Sequence, residues 1–255
     1  MNARPKVVCI TQARTTSTRL PRKVLLEVAG KSLLAHHLER LRRSAKVDEV
    51  VLATTINASD DEVAALGQAL GVRVARGSED DVLSRFVLAA RLSEADVIVR
   101  VTSDCPLIDP ELIDQVVTAL LDDEQVDYAH LDMNLFPRGL DVEVFRRPLL
   151  DQADQDPATT AFEREHVTPY IYRRPERYRL RAIAAGMDAT SEASTPPPWR
   201  WCVDEPADFA LVSRLLEALL PECPTFTWRD CDALMRQHPQ WAQLNQHVRQ
   251  KGVQA

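Results

Sequence analysis

Apolar residues in the first half of the chain fall into two alternating patterns. The runs KVVCITQ (6–12), EVVLATT (49–55), VRVAR (72–76) and DVIVRVT (96–102) are short and nearly unbroken, as expected of strands buried on both faces. Between and after them stand SLLAHHLERLRR (32–43), DDEVAALGQAL (60–70), DDVLSRFVLAARL (80–92) and PELIDQVVTALL (110–121), whose apolar residues recur at helical spacing. Acids open the second and third of these helices, and proline stands in the first turn of the fourth. VDYAHL (126–131) closes the series as a strand. The alternation predicts an α/β fold: a mostly parallel sheet, helices on both faces, and right-handed crossovers.

The regularity breaks after residue 131. LDVEVF (140–145) alternates like a strand and follows a turn at FPRG (136–139). TAFEREHVTPYIY (160–172) predicts one helix, RYRLRAIAA (177–185) a strand, STPPP (194–198) a rigid loop and WRWCV (199–203) a short strand. PADFALVSRLLEALL (206–220) is a strong helix, and the C-terminal end reads as helix with a frayed tail. Neither a repeat nor a long linker divides the 255 residues, so the expectation is one domain over 1–255, with 131–190 inserted onto the main sheet. In LDVEVF, Leu140, Val142 and Val144 share an apolar face with no obvious partner in that sheet. Such a strand often packs across a two-fold axis, which predicts a homodimer.

Charge changes the picture at one end. The net charge is −7, yet residues 1–46 hold eleven Lys/Arg against two Asp/Glu, leaving the remainder at −16. An acidic chain with one basic end is not a general nucleic-acid binder; it points to a local anion site. The basic helix HHLERLRRS explains part of the excess. It does not explain Arg14, Arg19, Arg22 and Lys23, which lie in QARTTSTRLPRK (12–23) ahead of any helical pattern. The five cysteines are scattered without a CxxC or zinc spacing, no apolar run nears the roughly 18 residues of a membrane span, and the N-terminal stretch has no secretory pattern. The expectation is a reduced, cytoplasmic protein without a membrane partner.

Three polar stretches follow predicted strands: QARTTSTRLPRK, TSDCPLID (102–109) and DEPADF (204–209). In an open α/β sheet ligands bind outside the carboxyl ends of the strands, so the three converge on one edge. The chain has 7 glycines and lacks both GxxxxGK[ST] and a GxGxxG after the first strand. Phosphates bound there need long cationic side chains and loop amides to hold them. A triphosphate suits such a loop. Asp104 and Asp204 then make sense as magnesium ligands, since that ion is commonly bound by one or two carboxylates plus substrate phosphates.

Six segments in order, QARTTSTRLPRKVL, RGSEDDVLSRF, TSDCPLIDP, FPRGLDVEVF, EREHVTPYIY and CVDEPADF, resemble the cytidylyltransferase family of CMP–sugar-acid synthetases, most nearly its spore-coat polysaccharide (SpsF-like) branch. The resemblance covers about residues 5–215. It implies a Rossmann-like nucleotidyltransferase fold and transfer of CMP from CTP to a sugar acid, with release of pyrophosphate. The family's loop pattern falls on Arg14, Ser17, Arg19 and Lys23, which the resemblance assigns to the triphosphate. It also assigns Ala13, Ser78, Asp81, Arg85 and Ser103 to the nucleotide site. Asp104 and Asp204 are the implied Mg2+ ligands, and Arg14, Lys23 and Asp104 the implied catalytic groups. Arg100, Asp141, Glu143, His166 and Tyr170 are implied on the acceptor side. Two positions depart from the family pattern, where glycine usually precedes the loop lysine and the motif aspartate; here they are Arg22 and Ser103. A metal-dependent glycosyltransferase is the main rival, but TSDCP and VDEP lack its DxD motif, and the DxE of Asp141 and Glu143 follows a turn. A non-catalytic nucleotide-binding subunit is the other.

Overall fold

The computed structural model describes residues 4–184 and 199–249. In chain order the elements begin with β1 (Val7–Gln12), the small hairpin β2 (Glu27–Val28) and β3 (Lys31–Ser32), α1 (Leu33–Leu41), β4 (Glu49–Thr55), α2 (Asp61–Ala69) and β5 (Arg73–Gly77). They continue with α3 (Val82–Leu92), β6 (Val97–Thr102), α4 (Pro110–Leu121), β7 (Tyr128–Leu131), β8 (Glu143–Arg146) and α5 (Arg147–Gln155). The last are α6 (Ala161–His166), α7 (Pro169–Tyr172), β9 (Leu180–Ile183), α8 (Pro206–Leu219) and α9 (Trp228–Gln237). No helix among the described residues is long and apolar enough to cross a membrane.

Among the described residues, seven strands form one sheet in the order β5-β4-β1-β6-β8-β7-β9. Alternate residues of β1 enter opposite cores: Val7 and Cys9 pack with α1, α4, α8 and α9, and Val8 and Ile10 with α3, α5 and α7. That two-sided burial is why its sequence is nearly unbroken apolar. The chain moves outward from β1 through β4 to β5, then returns to add β6 on the other side of β1. The carboxyl ends of β1 and β6 therefore flank the point where strand order reverses, and a crevice opens there.

The second half corrects several expectations. β8 lies between β6 and β7 and is antiparallel to both, with Val144 opposite Val99 and Ala129. Leu140, Val142 and Val144 are buried in the main core. Their apolar face is thus covered within the chain, and this strand provides no basis for the expected two-fold. The predicted single helix over 160–172 is two, α6 and α7, parted at Val167, whose φ of 69° is hostile to a β-branched residue. α5 was not foreseen; it buries only Leu149, Leu150 and Ala153, too few apolar positions to mark a helix. WRWCV is no regular strand, making a single bridge from Arg200 to Arg138. STPPP lies outside the described residues.

Candidate active site

The loop after β1 folds back onto the strand edge through its own polar groups. Thr15 donates from backbone N (2.7 Å) and Oγ1 (2.7 Å) to Asp60, which is fully buried. Arg22 N donates to Thr15 O (2.9 Å), closing the loop just before a 3-10 turn at Lys23–Leu25. Arg22 sits in the left-handed region, φ 57°. This accounts for the glycine usual in that place, and the substitution leaves the guanidinium on the surface against Glu62 (2.5 Å). Ser103 has no such conflict. It is buried behind the site, where its Oγ donates to Gln12 O (2.6 Å) and ties the end of β6 to the end of β1.

Lys23 is the centre of the arrangement. Its Nζ donates to Asp104 Oδ2 (2.8 Å), just past β6, and to Asp204 Oδ1 (2.9 Å), just before α8. The three polar stretches thus meet at one ammonium. Burial works against the Lys23 charge, but the two carboxylates outweigh it and lift its pKa above the ordinary lysine value. Burial likewise opposes ionisation of Asp104, and Lys23 reverses the effect, holding its pKa down at about 2. Asp204 is crowded by cations: Oδ1 also accepts from Arg19 (2.9 Å) and Oδ2 from Arg200. Behind it the fully buried Asp208 accepts from Asp204 N (3.0 Å), Glu205 N (3.1 Å) and Arg200 Nε (3.1 Å), which fixes the loop before α8.

A cavity of about 280 Å3 opens over this cluster, lined among others by Ala13, Arg14, Ser17, Arg19, Lys23 and Arg85. Arg14 rests on Glu79 (3.1 Å), and Arg85 is buried, its Nη1 donating to Glu79 O (2.9 Å). Ser78 and Asp81 stand outside the lining. Asp81 caps α3 through Ser84 N (3.0 Å) and pairs with Arg164 (2.8 Å). A second cavity of about 650 Å3 shares Gln12, Arg19, Asp104, Glu165, His166 and Asp204 with the first. Arg100, Asp141 and Glu143 line it as well. Arg100 pairs with Glu143, which also accepts from Tyr128 OH (2.5 Å) and Thr168 Oγ1 (2.7 Å); Asp141 pairs with Arg138 (2.5 Å). Burial lowers the pKa of His166, favouring the neutral ring. Tyr170 is absent from the lining: it is a buried residue of α7, with its OH on Asp156 (2.8 Å). Tyr172, one half-turn on, lines the cavity instead.

Sequence reasoning missed Gln12, Glu165, Arg138 and Tyr172 as lining residues, and Asp208 as the support of Asp204. Only Asp208 carried a signal, since a carboxylate at the third position of a helix marks a capping box. Among the described residues no three His, Cys, Asp or Glu converge on one point.

A reversal of strand order, a cationic loop at the end of the first strand and two carboxylates on one lysine mark this as an α/β protein with one charged crevice at the edge of its sheet. The chain belongs to the cytidylyltransferase family, whose profile matches residues 8–244. It is 37% identical over 246 residues to the uncharacterized protein MJ1063 of Methanocaldococcus jannaschii, covering 96% of this chain and 97% of that one. It is 35% identical over 215 residues to the spore coat polysaccharide biosynthesis protein SpsF of Bacillus subtilis, covering 83% and 86%. A solved cytidylyltransferase from Leptospira borgpetersenii superposes with a TM-score of 0.85 at 30% identity, over 94% of this chain and 98% of that one. A CMP:2-keto-3-deoxy-manno-octonic acid synthetase solved with CTP shares the fold, with a TM-score of 0.62 at 23% identity, over 84% and 99%.

Proposed function

We propose that the chain transfers CMP from CTP to a sugar acid or a related acceptor, releasing pyrophosphate, in the building of a surface polysaccharide or glycoconjugate. The observation that carries this reading is the meeting of Lys23, Asp104 and Asp204 beneath a cavity that also presents Arg14, Arg19 and Arg85. Four cations around one crevice suit a triphosphate and exceed what a monophosphate needs. The adjoining larger cavity is the place for the acceptor, beside the α-phosphorus. An acceptor oxygen attacks that phosphorus in line, the new P–O bond forming as the bond to pyrophosphate breaks. Lys23 and Arg19 neutralise the charge that grows on the leaving group, and the cavity walls hold the two reactants in line. His166 lines both cavities and its half-buried ring favours the neutral form, which supports a role in taking the acceptor proton.

Asp104 and Asp204 fit magnesium as a donor set: two hard carboxylates whose oxygens face one point, with the remaining ligands left to phosphates and water. Bound there, the ion supplies charge neutralisation across the phosphates. A glycosyltransferase reading finds less support, because TSDCP and VDEP lack a DxD motif and the family is that of cytidylyltransferases. Pyrophosphate release from CTP, measured across a panel of octulosonic, nonulosonic and phosphonate acceptors, tests the proposal. Release is expected with at least one acceptor, to stop in EDTA and to return with magnesium. No release with any acceptor, against turnover of a nucleotide sugar, would overturn it.

A further inference from the structure

We infer that in the free protein Lys23 occupies the position a divalent cation takes in the loaded one, so that the metal enters only with the triphosphate. The inference rests on the reading that this site takes CTP. The Lys23 ammonium stands between Asp104 Oδ2 (2.8 Å) and Asp204 Oδ1 (2.9 Å), the two oxygens that a metal bridging these carboxylates would use. Magnesium needs its oxygens at about 2.0–2.1 Å, so an ammonium and a divalent ion cannot share that gap.

The surrounding charges point the same way. Asp204 meets Lys23, Arg19 and Arg200 at once. Asp104 meets Lys23, and its carboxylate also takes side-chain contacts from Cys105 Sγ (3.5 Å) and Thr102. Asp104 and Asp204 are thus each already paired with at least one cation, although Arg19 and Arg200 are shared with Glu205 and Asp208, and that pairing reduces the demand for a further positive ion. A triphosphate reverses the balance. Its oxygens compete for Lys23 and Arg19, both of which line the nucleotide cavity, and each cation drawn away uncovers a carboxylate oxygen. Lysine suits the exchange, because a flexible four-carbon stem can move its point charge several ångströms without moving the backbone. The backbone itself is held, by Arg22 N on Thr15 O (2.9 Å) and Leu26 N on Lys23 O (3.1 Å). Nucleotide and metal thus bind as one event, and an empty site does not collect metal.

Mn2+ binding followed by electron paramagnetic resonance on the full chain, without nucleotide, tests this directly. The parent protein should bind Mn2+ weakly. Lys23→Met, which keeps the stem and removes the charge, should bind it at least about tenfold tighter, the direction expected when one positive charge leaves a partly buried site. Lys23→Arg should behave as the parent, and adding Asp104→Asn to Lys23→Met should abolish the gain. Lys23→Met binding Mn2+ no tighter than the parent would overturn the inference. Should Lys23→Met fail to fold, the parent alone suffices. Its Mn2+ affinity must rise at least about tenfold with a nonhydrolysable CTP analogue, beyond the affinity of the analogue by itself; equal affinity with and without it overturns the inference. Calorimetry of the analogue with the parent separates the two readings: failure to bind it sinks the proposed function, while the Mn2+ gain of Lys23→Met stands or falls by itself.

Discussion

Arg22 shows a residue at odds with its backbone. Its φ of 57° is a conformation that costs an L-residue about 1–2 kcal/mol relative to glycine. Its ion pair with Glu62 offsets little, because both side chains are more than half exposed, at 54% and 61%. Glycine there would remove the strain but free the unfolded chain, at a cost of about 0.5–1 kcal/mol. Arg22→Gly is therefore expected to leave stability unchanged or raise it by up to about 1 kcal/mol, read by urea unfolding. A clear loss would show that the guanidinium holds the loop. The departure itself was legible, as a cation where the resembled family pattern has glycine; its conformational cause was not, because φ is a property of the closed loop. The same division runs through the site. Lys23, Asp104 and Asp204 could be picked out as neighbours because each lies in a polar stretch that follows a predicted strand. Asp208 carried the signal of a capping box, whereas Glu79 carried none, since what marks it is the arginine it faces in space. Tyr170 was misplaced because one continuous helix was expected, and the break at Val167 turns Tyr172, not Tyr170, toward the cavity.

Among the elements, the parallel strands were the easiest to read, since burial on both faces leaves an apolar run that few other structures produce. β8 was legible as a strand but not in its place. Alternation specifies a buried face, whereas the slot between β6 and β7 is decided by what else the sheet leaves open. That slot brings the preceding turn against the segment before α8. Trp201 N donates to Arg138 O (2.7 Å) and Val203 N to Asp104 O (2.7 Å), so Asp204 is held by backbone bonds to both neighbours of the site. Gly139 permits the approach: its φ is +105°, and a Cβ there would lie 2.6 Å from Cys202 N and 2.7 Å from Trp201 C. Neither neighbour is a flexible side-chain end, so the strain cannot be relieved locally. Gly139→Ala is expected to lose at least about 1–3 kcal/mol by overpacking alone and, in the fraction still folded, to weaken nucleotide turnover as Asp204 shifts from Lys23. Thermal melts and pyrophosphate release measured on one preparation check both; parental values in each would show that the 199–204 segment is free to move.

At the scale of the whole molecule, the last described part of the chain reaches back to the site. After α9 the chain makes a 3-10 turn at Pro239–Leu244 and delivers Asn245 into the interior. The Asn245 amide donates to Arg200 O (2.9 Å) and to Asp208 Oδ1 (2.8 Å). Asp208 holds the Asp204 and Glu205 backbone, and Arg200 holds the Asp204 carboxylate, so a residue 41 positions beyond Asp204 braces it from behind. Sequence patterns read the C-terminal end only as a helix with a frayed tail, because one polar side chain among many gives no periodic signal. Asn245→Ala removes both donors and leaves a buried carbonyl and a buried carboxylate short of a partner, which costs about 1–3 kcal/mol. Asn245→Asp is expected to cost more near neutral pH, since it sets a second carboxylate against Asp208 in a buried place. That excess should shrink as pH falls and a proton comes to lie between the two acids. Urea unfolding of both variants at pH 5 and pH 8 separates the effects. If Asn245→Asp is no less stable than Asn245→Ala at pH 8, the amide is not a brace on Asp208. If Asn245→Ala matches the parent in both stability and turnover, the C-terminal turn supports the fold without supporting the site.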